Sequence, residues 1–214
     1  MKKIIVLGLH NSGSTVLCKM MAPLGINFGM RIGKGKYGSN FEHRGIPMAL
    51  RRCVKFGQPL HWELVNRSGK RLTALFNRFF SRWSSVPSAL KHPFLCAGMT
   101  ALDDSILQEL VIINCTRKFE HAVQGAKRAY PRAARRMEQY QADLQKGKDS
   151  IIARAKSLGC PVLDWDYDAM SKEGRALLEG VAAFLGTNAG PGMIEKAFSL
   201  YDGKQQHFGK ETSS

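Results

Sequence analysis

From Ile4 to Leu9 the chain is apolar at every position except Gly8, and three of those residues are β-branched. A run of this kind is the pattern of a strand buried on both faces in a parallel sheet. The period then changes: Val16, Leu17, Met20, Met21 and Leu24 recur at helical spacing, with Gly25 as a stop. The same succession returns twice, from Leu110–Cys115 into a helical stretch beginning near Lys118, and from Pro161–Asp164 into one beginning near Ser171. Three strand–turn–helix units predict an α/β fold, a P-loop-like parallel sheet flanked by helices.

Between the first two units lies a long stretch, about residues 30–92, glycine-rich at its start and helical in period later. It predicts a basic helical insertion. Within it Leu75, Phe79, Phe80 and Trp83 share one helical stripe while Arg78 and Arg82 share another, which fits either a solvated basic face or one wall of a groove for an acidic substrate. Residues 131–156 are polar and charged and predict a long surface helix or helical pair. With no internal repeat and no composition break, the chain reads as a single domain over 1–214, the insertion forming its acceptor side and residues from about 204 onward a flexible tail.

An apolar content of 44% over 214 residues supports a sizeable core and excludes a disordered chain. Lys and Arg number 32 against 17 Asp and Glu, a net charge of +15, and residues 31–91 alone hold 13 Lys plus Arg against Glu42 and Glu63. The balance calls for an anionic partner without choosing among nucleic acid, membrane surface, acidic glycan and phosphorylated or sulfated small molecule. No apolar run approaches the roughly 20 residues that span a bilayer. Cys18, Cys53, Cys96, Cys115 and Cys160 are scattered and form no CxxC pair, so a cytoplasmic protein with reduced thiols and no metal is expected.

Gly8-Leu-His-Asn-Ser-Gly13-Ser14-Thr15 has the spacing of a Walker A loop with Ser14 where the lysine belongs. A loop of this shape turns backbone N–H groups inward at a helix N-terminus, so it can hold an anion without a side chain. Nucleotide triphosphate hydrolysis needs the lysine at the β- and γ-phosphates. Its replacement points to a nucleotide with a single 5′-terminal phosphate group, although the same spacing also serves a plain glycine turn that starts a helix.

The loop, continued through Val16-Leu17, Leu24-Gly25 and Gly29, resembles the 5′-phosphosulfate loop of the bacterial carbohydrate-type sulfotransferases. Further elements of that family occur in order: Asn40-Phe41-Glu42 as its acidic segment, Lys91-His92-Pro93 as its K-x-P, and Val111–Arg117 as the strand ending in an arginine. Trp165-Asp166-Tyr167-Asp168 and Ala183–Gly186 resemble its late elements. The resemblance implies a P-loop α/β fold and, as metal-independent sulfuryl donor, 3′-phosphoadenosine 5′-phosphosulfate. It implies donor binding by Asn11, Ser12, Gly13, Ser14 and Thr15 at the 5′ end, and by Arg117 and Gly125 at the 3′-phosphate. Two positions depart from the pattern: Asn11 stands where the loop carries arginine or lysine, and Gly125 where a serine reaches the 3′-phosphate. Lys19, Lys127 and Arg128 are the candidate substitutes.

Transfer of a sulfuryl group to a hydroxyl is an in-line displacement that needs a general base and donors at the departing oxygens. Glu42, expected in a loop beyond the first helix, is the first candidate for the base; His43 and His10 follow, with Asn11 beside the reacting group. His61-Trp62 either walls the acceptor site or belongs to the core. The expected function is sulfuryl transfer to a hydroxyl of a carbohydrate, lipid or small metabolite, neutral or anionic. The alternatives are a nucleotide-binding relative without turnover, a basic nucleic-acid-binding protein and, last, a nucleotide kinase.

Overall fold

The computed structural model describes residues 1–29, 32–35, 38–50 and 52–201. Six strands of these residues form one sheet: β1 (Lys3–Leu7), β2 (Ile32–Gly35), β3 (Gly38–His43), β4 (Ser88–Lys91), β5 (Leu110–Thr116) and β6 (Val162–Asp166), in the order β2-β3-β4-β1-β5-β6. Strands β3, β4, β1, β5 and β6 run parallel, and β2 closes the edge antiparallel to β3.

Among the described residues ten helices cover both faces: α1 (Ser14–Met21), α2 (Gly45–Leu50), α3 (Trp62–Asn66), α4 (Gly69–Arg82), α5 (Leu95–Gly98), α6 (Asp104–Gln108), α7 (Phe119–Ala129), α8 (Ala134–Ser157), α9 (Met170–Leu185) and α10 (Pro191–Phe198). Successive strand side chains point to opposite faces, so β1 feeds two cores. Ile5 and Leu7 pack with Leu72, Phe76, Tyr140 and Leu144 of α4 and α8. Ile4 and Val6 pack with Leu17, Trp165 and Leu178 on the α1 and α9 side. No helix of the described residues is long and apolar enough to cross a membrane.

Three expectations change. The stretch 30–92 carries helices α2 to α4, but it also supplies β2, β3 and β4, and β4 is a central strand beside β1. Four buried residues, Ser-Ala-Leu-Lys, are too short and too polar to show a strand period. Glu42 accordingly lies in β3 rather than in a loop, and its register partner is Lys91. Residues 134–157 form one long helix, as expected, with Arg135, Glu138, Gln139, Lys146 and Asp149 exposed, but its inner face is part of the core: Met137, Tyr140, Gln141, Leu144, Lys148, Ile151 and Ala155 are all buried. The expected tail lies outside the described residues.

In the order β4-β1-β5, the chain leaves β1 toward one side of the sheet and later returns on the other. The carboxyl end of β1 is thus a switch point, the place where open parallel sheets bind ligands. Gly8, Lys91, Arg117 and Asp168 all follow or end strands at that edge.

Candidate functional site

The loop after β1 is shaped by two left-handed residues, Asn11 (φ 61°) and Gly13 (φ 84°), the second capping α1. Asparagine tolerates that region. At Gly13 there is no alternative, because a Cβ there would run into the Tyr167 ring as well as strain the backbone. Ser12 N–H bonds Leu9 O at 3.2 Å, and Val16 and Leu17 N–H both bond Gly13 O. Among the described residues the N–H groups of Asn11, Gly13 and Ser14 have no protein acceptor. Ser12 Oγ is buried without a partner. Unused donors around a turn at a helix N-terminus are the makings of an anion cradle.

The loop is held from below by a residue that no motif marks. Gln141, fully buried in α8, accepts His10 N–H at 3.3 Å and donates to His10 O at 2.9 Å. The His10 ring sits among Phe56, Phe94, Tyr130 and Tyr140 and lies 3.2 Å from Tyr140 Oη. Burial in this apolar box pushes its pKa down to about 3. His10 is therefore a neutral structural ring rather than a proton acceptor facing solvent.

On the β4 side stands a buried cation. Lys91, 3% exposed, donates to Thr15 Oγ1 and to Glu42 Oε1, each at 3.0 Å. It joins the helix end of the cradle to the carboxylate singled out as the base. Phe41, immediately before Glu42, has φ 57°, an outlier for a bulky side chain. This strained residue packs edge-on against Phe28 and re-aims β3 where, among the described residues, Glu42–Lys91 is its register pair with β4. His92 is the third member. Its Nδ1 accepts Phe94 N–H at 3.1 Å, and burial holds its pKa at about 3, so the neutral ring carries its proton on Nε2, 3.8 Å from Glu42 Oε2. His43, by contrast, accepts Gly45 N–H through Nδ1 and lies against Phe79.

On the β5 side Arg117 folds over the outside of the loop. Its Nη1 donates to Asn11 O at 2.8 Å, its Nε lies 3.4 Å from Asp168 Oδ1, and its guanidinium covers the Tyr167 ring at 5.0 Å. Burial works against the Asp168 carboxylate, but Lys118 N–H, His121 and Arg117 outweigh it and hold its pKa below the ordinary value. Gly125 is buried in the middle of α7, where a Cβ would lie 3.1 Å from Asn11 Cβ. The two departures from the family pattern are thus neighbours: α7 approaches Asn11 through the missing side chain of Gly125. Lys127 is paired with Glu138, Lys19 lies in the last turn of α1, and Arg128 is exposed near the end of α7. Trp62 packs against the core beside Gly147, while His61 precedes α3 at the surface.

The structure brings Asn11, Ser12, Gly13, Ser14, Thr15, Arg117 and Glu42 to one edge of the sheet. Sequence reasoning missed Lys91, His92 and Gln141 as members; the Lys91-His92-Pro93 resemblance was the available signal for two of them, and Gln141 had none. All five cysteines are free and buried, and burial pushes the thiols of Cys18 and Cys96 up to about 12 and about 11. Among the described residues no group of three or more His, Cys, Asp or Glu side chains is gathered to hold a metal ion. Comparison of the chain with protein-family models and with curated proteins finds no match to either. What fold and site define together is an α/β protein with a turn of unused N–H donors, and a half-buried carboxylate paired with a buried lysine, at the carboxyl edge of its parallel sheet.

Proposed function

We propose that this chain is a sulfotransferase that binds 3′-phosphoadenosine 5′-phosphosulfate at the Gly8–Thr15 loop and passes its sulfuryl group to a hydroxyl. The observation that carries the reading is the bridge made by Lys91, whose ammonium is 3.0 Å from both Thr15 Oγ1 and Glu42 Oε1. In-line transfer needs an anion site, a cation and a base in contact with one another, and one side chain links all three.

The residues present suit the donor: unused N–H groups of Asn11, Gly13 and Ser14 and the orphaned Ser12 Oγ face an oxyanion at the 5′ end. Arg117 is tied to the rim of the same loop and offers its Nη2 toward a 3′-phosphate. The donor, when bound, supplies the sulfuryl group. Glu42 takes the acceptor's hydroxyl proton as that oxygen bonds to sulfur; the bond from sulfur to the bridging oxygen breaks, and the N–H groups of the loop with Lys91 hold the charge left on the departing phosphate. Lys91 stands in for the cation that Ser14 and Asn11 do not provide. Phe56 and Tyr130, the exposed members of the aromatic box, offer the acceptor a ring platform. Five buried free thiols support a reducing, cytoplasmic setting.

A second reading, a donor-binding protein without turnover, is favoured by the contact between Asn11 and Gly125. Donor-dependent sulfation across a panel of sugars, phenols and aliphatic alcohols separates the two. Turnover that falls in Glu42→Gln and Lys91→Met supports the enzyme; binding of the desulfated nucleotide with no turnover on any acceptor supports the binder. Absence of both defeats the two together.

A further inference from the structure

Lys148 lies two helical turns beyond Gln141 on the same face of α8 and is 4% exposed. Its Nζ donates to Cys115 O at 3.3 Å, and among the described residues no carboxylate lies within ion-pair reach of it. A buried ammonium with one carbonyl and no counter-charge is expensive, and a chain that only needed to fill this space would carry methionine. The approach is built in: a Cβ on the preceding Gly147 would stand 2.5 Å from Cys96 O, so α8 comes this close to α5 only with glycine there.

Cys115 is the strand neighbour of Gly8. A Cβ on Gly8 would lie 3.1 Å from Cys115 Cβ and would overlap Ser12 Oγ, and the Gly8 amide faces the sulfur of Cys96, on which the charge of Lys148 also acts. Two groups short of partners therefore lie near Gly8: Lys148, on the carbonyl of its neighbour Cys115 and, among the described residues, without a counter-charge, and the unpartnered, 2% exposed Ser12 hydroxyl beside Gly8 itself. What both lack is an anion.

We propose that Lys148 is a positioning residue that charges the floor of the Gly8–Thr15 loop, its counter-ion being the phosphate- or sulfate-type anion seated above it. It does not touch the anion; it acts across Gly8 and Cys115, while Gln141 on the same helix face fixes the loop's shape. The proposal rests on the reading of the loop as an anion site, not on the transfer chemistry.

The test uses the full-length protein with Lys148→Met and Lys148→Gln. For each, the melting temperature without ligand and the calorimetric affinity for adenosine 3′,5′-bisphosphate and for inorganic phosphate are measured. Both variants are expected to lose about tenfold or more in affinity for both probes, since each removes a full charge from a low-dielectric site. Lys148→Met is expected to melt no lower than the parent without ligand, a gain of stability at the expense of binding. If either folded variant binds both probes as the parent does, the proposal is overturned, whatever its melting temperature. A merely structural hydrogen bond to Cys115 O would lower the melting temperature of Lys148→Met and leave affinity alone. If inorganic phosphate binds in a Lys148-dependent way while nucleotide and sulfuryl transfer are absent, the proposal stands and the sulfotransferase reading falls; if neither probe binds the parent, both fall.

Discussion

The two flanks of the loop each carry a buried lysine, and they are not alike. On the β4 flank Lys91 is neutralised by Glu42 and further bonded to Thr15, so its charges are in balance as the molecule stands. On the α8 flank Lys148 has, among the described residues, a single carbonyl as partner. On the proposed reading the contrast is a division of labour: the β4 side holds a carboxylate–ammonium pair placed for proton transfer, and the α8 side a field open to an anion. A paired buried charge is fragile to the loss of either member, whereas an unpaired one is relieved by its own removal.

The largest expected effect comes from breaking the pair. Glu42→Gln removes the base and is expected to lower sulfuryl transfer by on the order of 10³-fold, leaving nucleotide affinity within about twofold because the loop is untouched. Stability should also fall by about 3 kcal/mol, since Lys91 is left charged and buried. Steady-state rates beside denaturant unfolding check both, and full activity in Glu42→Gln would remove the carboxylate from the mechanism.

How much of this contrast the sequence carried differs between the flanks. The β1–loop–α1 unit was legible because a continuous apolar run, a glycine spacing and a helical period each required the same structure from Ile4 to Leu24. Arg117 is marked by the resemblance of Val111–Arg117 to the family's arginine-ended strand, and the strand itself by its apolar run. The β4 flank was hidden for physical reasons. Ser88–Lys91 is short, and it places a lysine in a central strand, where only the cross-strand partner Glu42 makes the burial tolerable. Glu42 is singled out by the resemblance of Asn40-Phe41-Glu42 to the family's acidic segment, and a loop is expected there because Gly38–His43 has no apolar alternation; the strand also bends at Phe41. In α8 the buried Gln141 and Lys148 read as surface residues, since helical periodicity locates a face but not a polar group satisfied by a distant loop.

The second effect in size concerns the loop both flanks serve. Gly13→Ala is expected to destabilise the protein by about 3 kcal/mol or more, combining left-handed strain with the collision against Tyr167. Nucleotide binding should be lost with it. A folded Gly13→Ala protein with unchanged melting temperature and affinity would show that the turn is not held as described.

Acidity sharpens the comparison next. His10 and His92 are held neutral down to about 3 by burial, against an ordinary value of 6.5. Between those limits the unfolded chain binds more protons than the folded one. Stability is therefore complete above about pH 6.5 and falls as the pH drops toward 3, by about 1.4 kcal/mol per pH unit for each ring. Denaturant unfolding between pH 7 and pH 4 measures the slope. His92→Gln should remove about half of it; a profile flat over that range contradicts the burial of both rings.

The smallest effect belongs to the neighbouring departures. Gly125→Ser is expected to cost about 1 kcal/mol through crowding against Asn11. The combined Asn11→Gly and Gly125→Ser variant should recover most of it, since glycine keeps the positive φ and vacates the space. Additive costs in the double variant would mean that the two positions do not touch.

The central claim is that the Gly8–Thr15 loop is an anion cradle for a nucleotide phosphorylated at both ends of its ribose. Calorimetric titration of adenosine 3′,5′-bisphosphate into the protein tests it most directly. Saturable binding at one site per chain, weakened about tenfold or more by Arg117→Ala, is the predicted result; no saturable heat, or binding indifferent to Arg117, would contradict it.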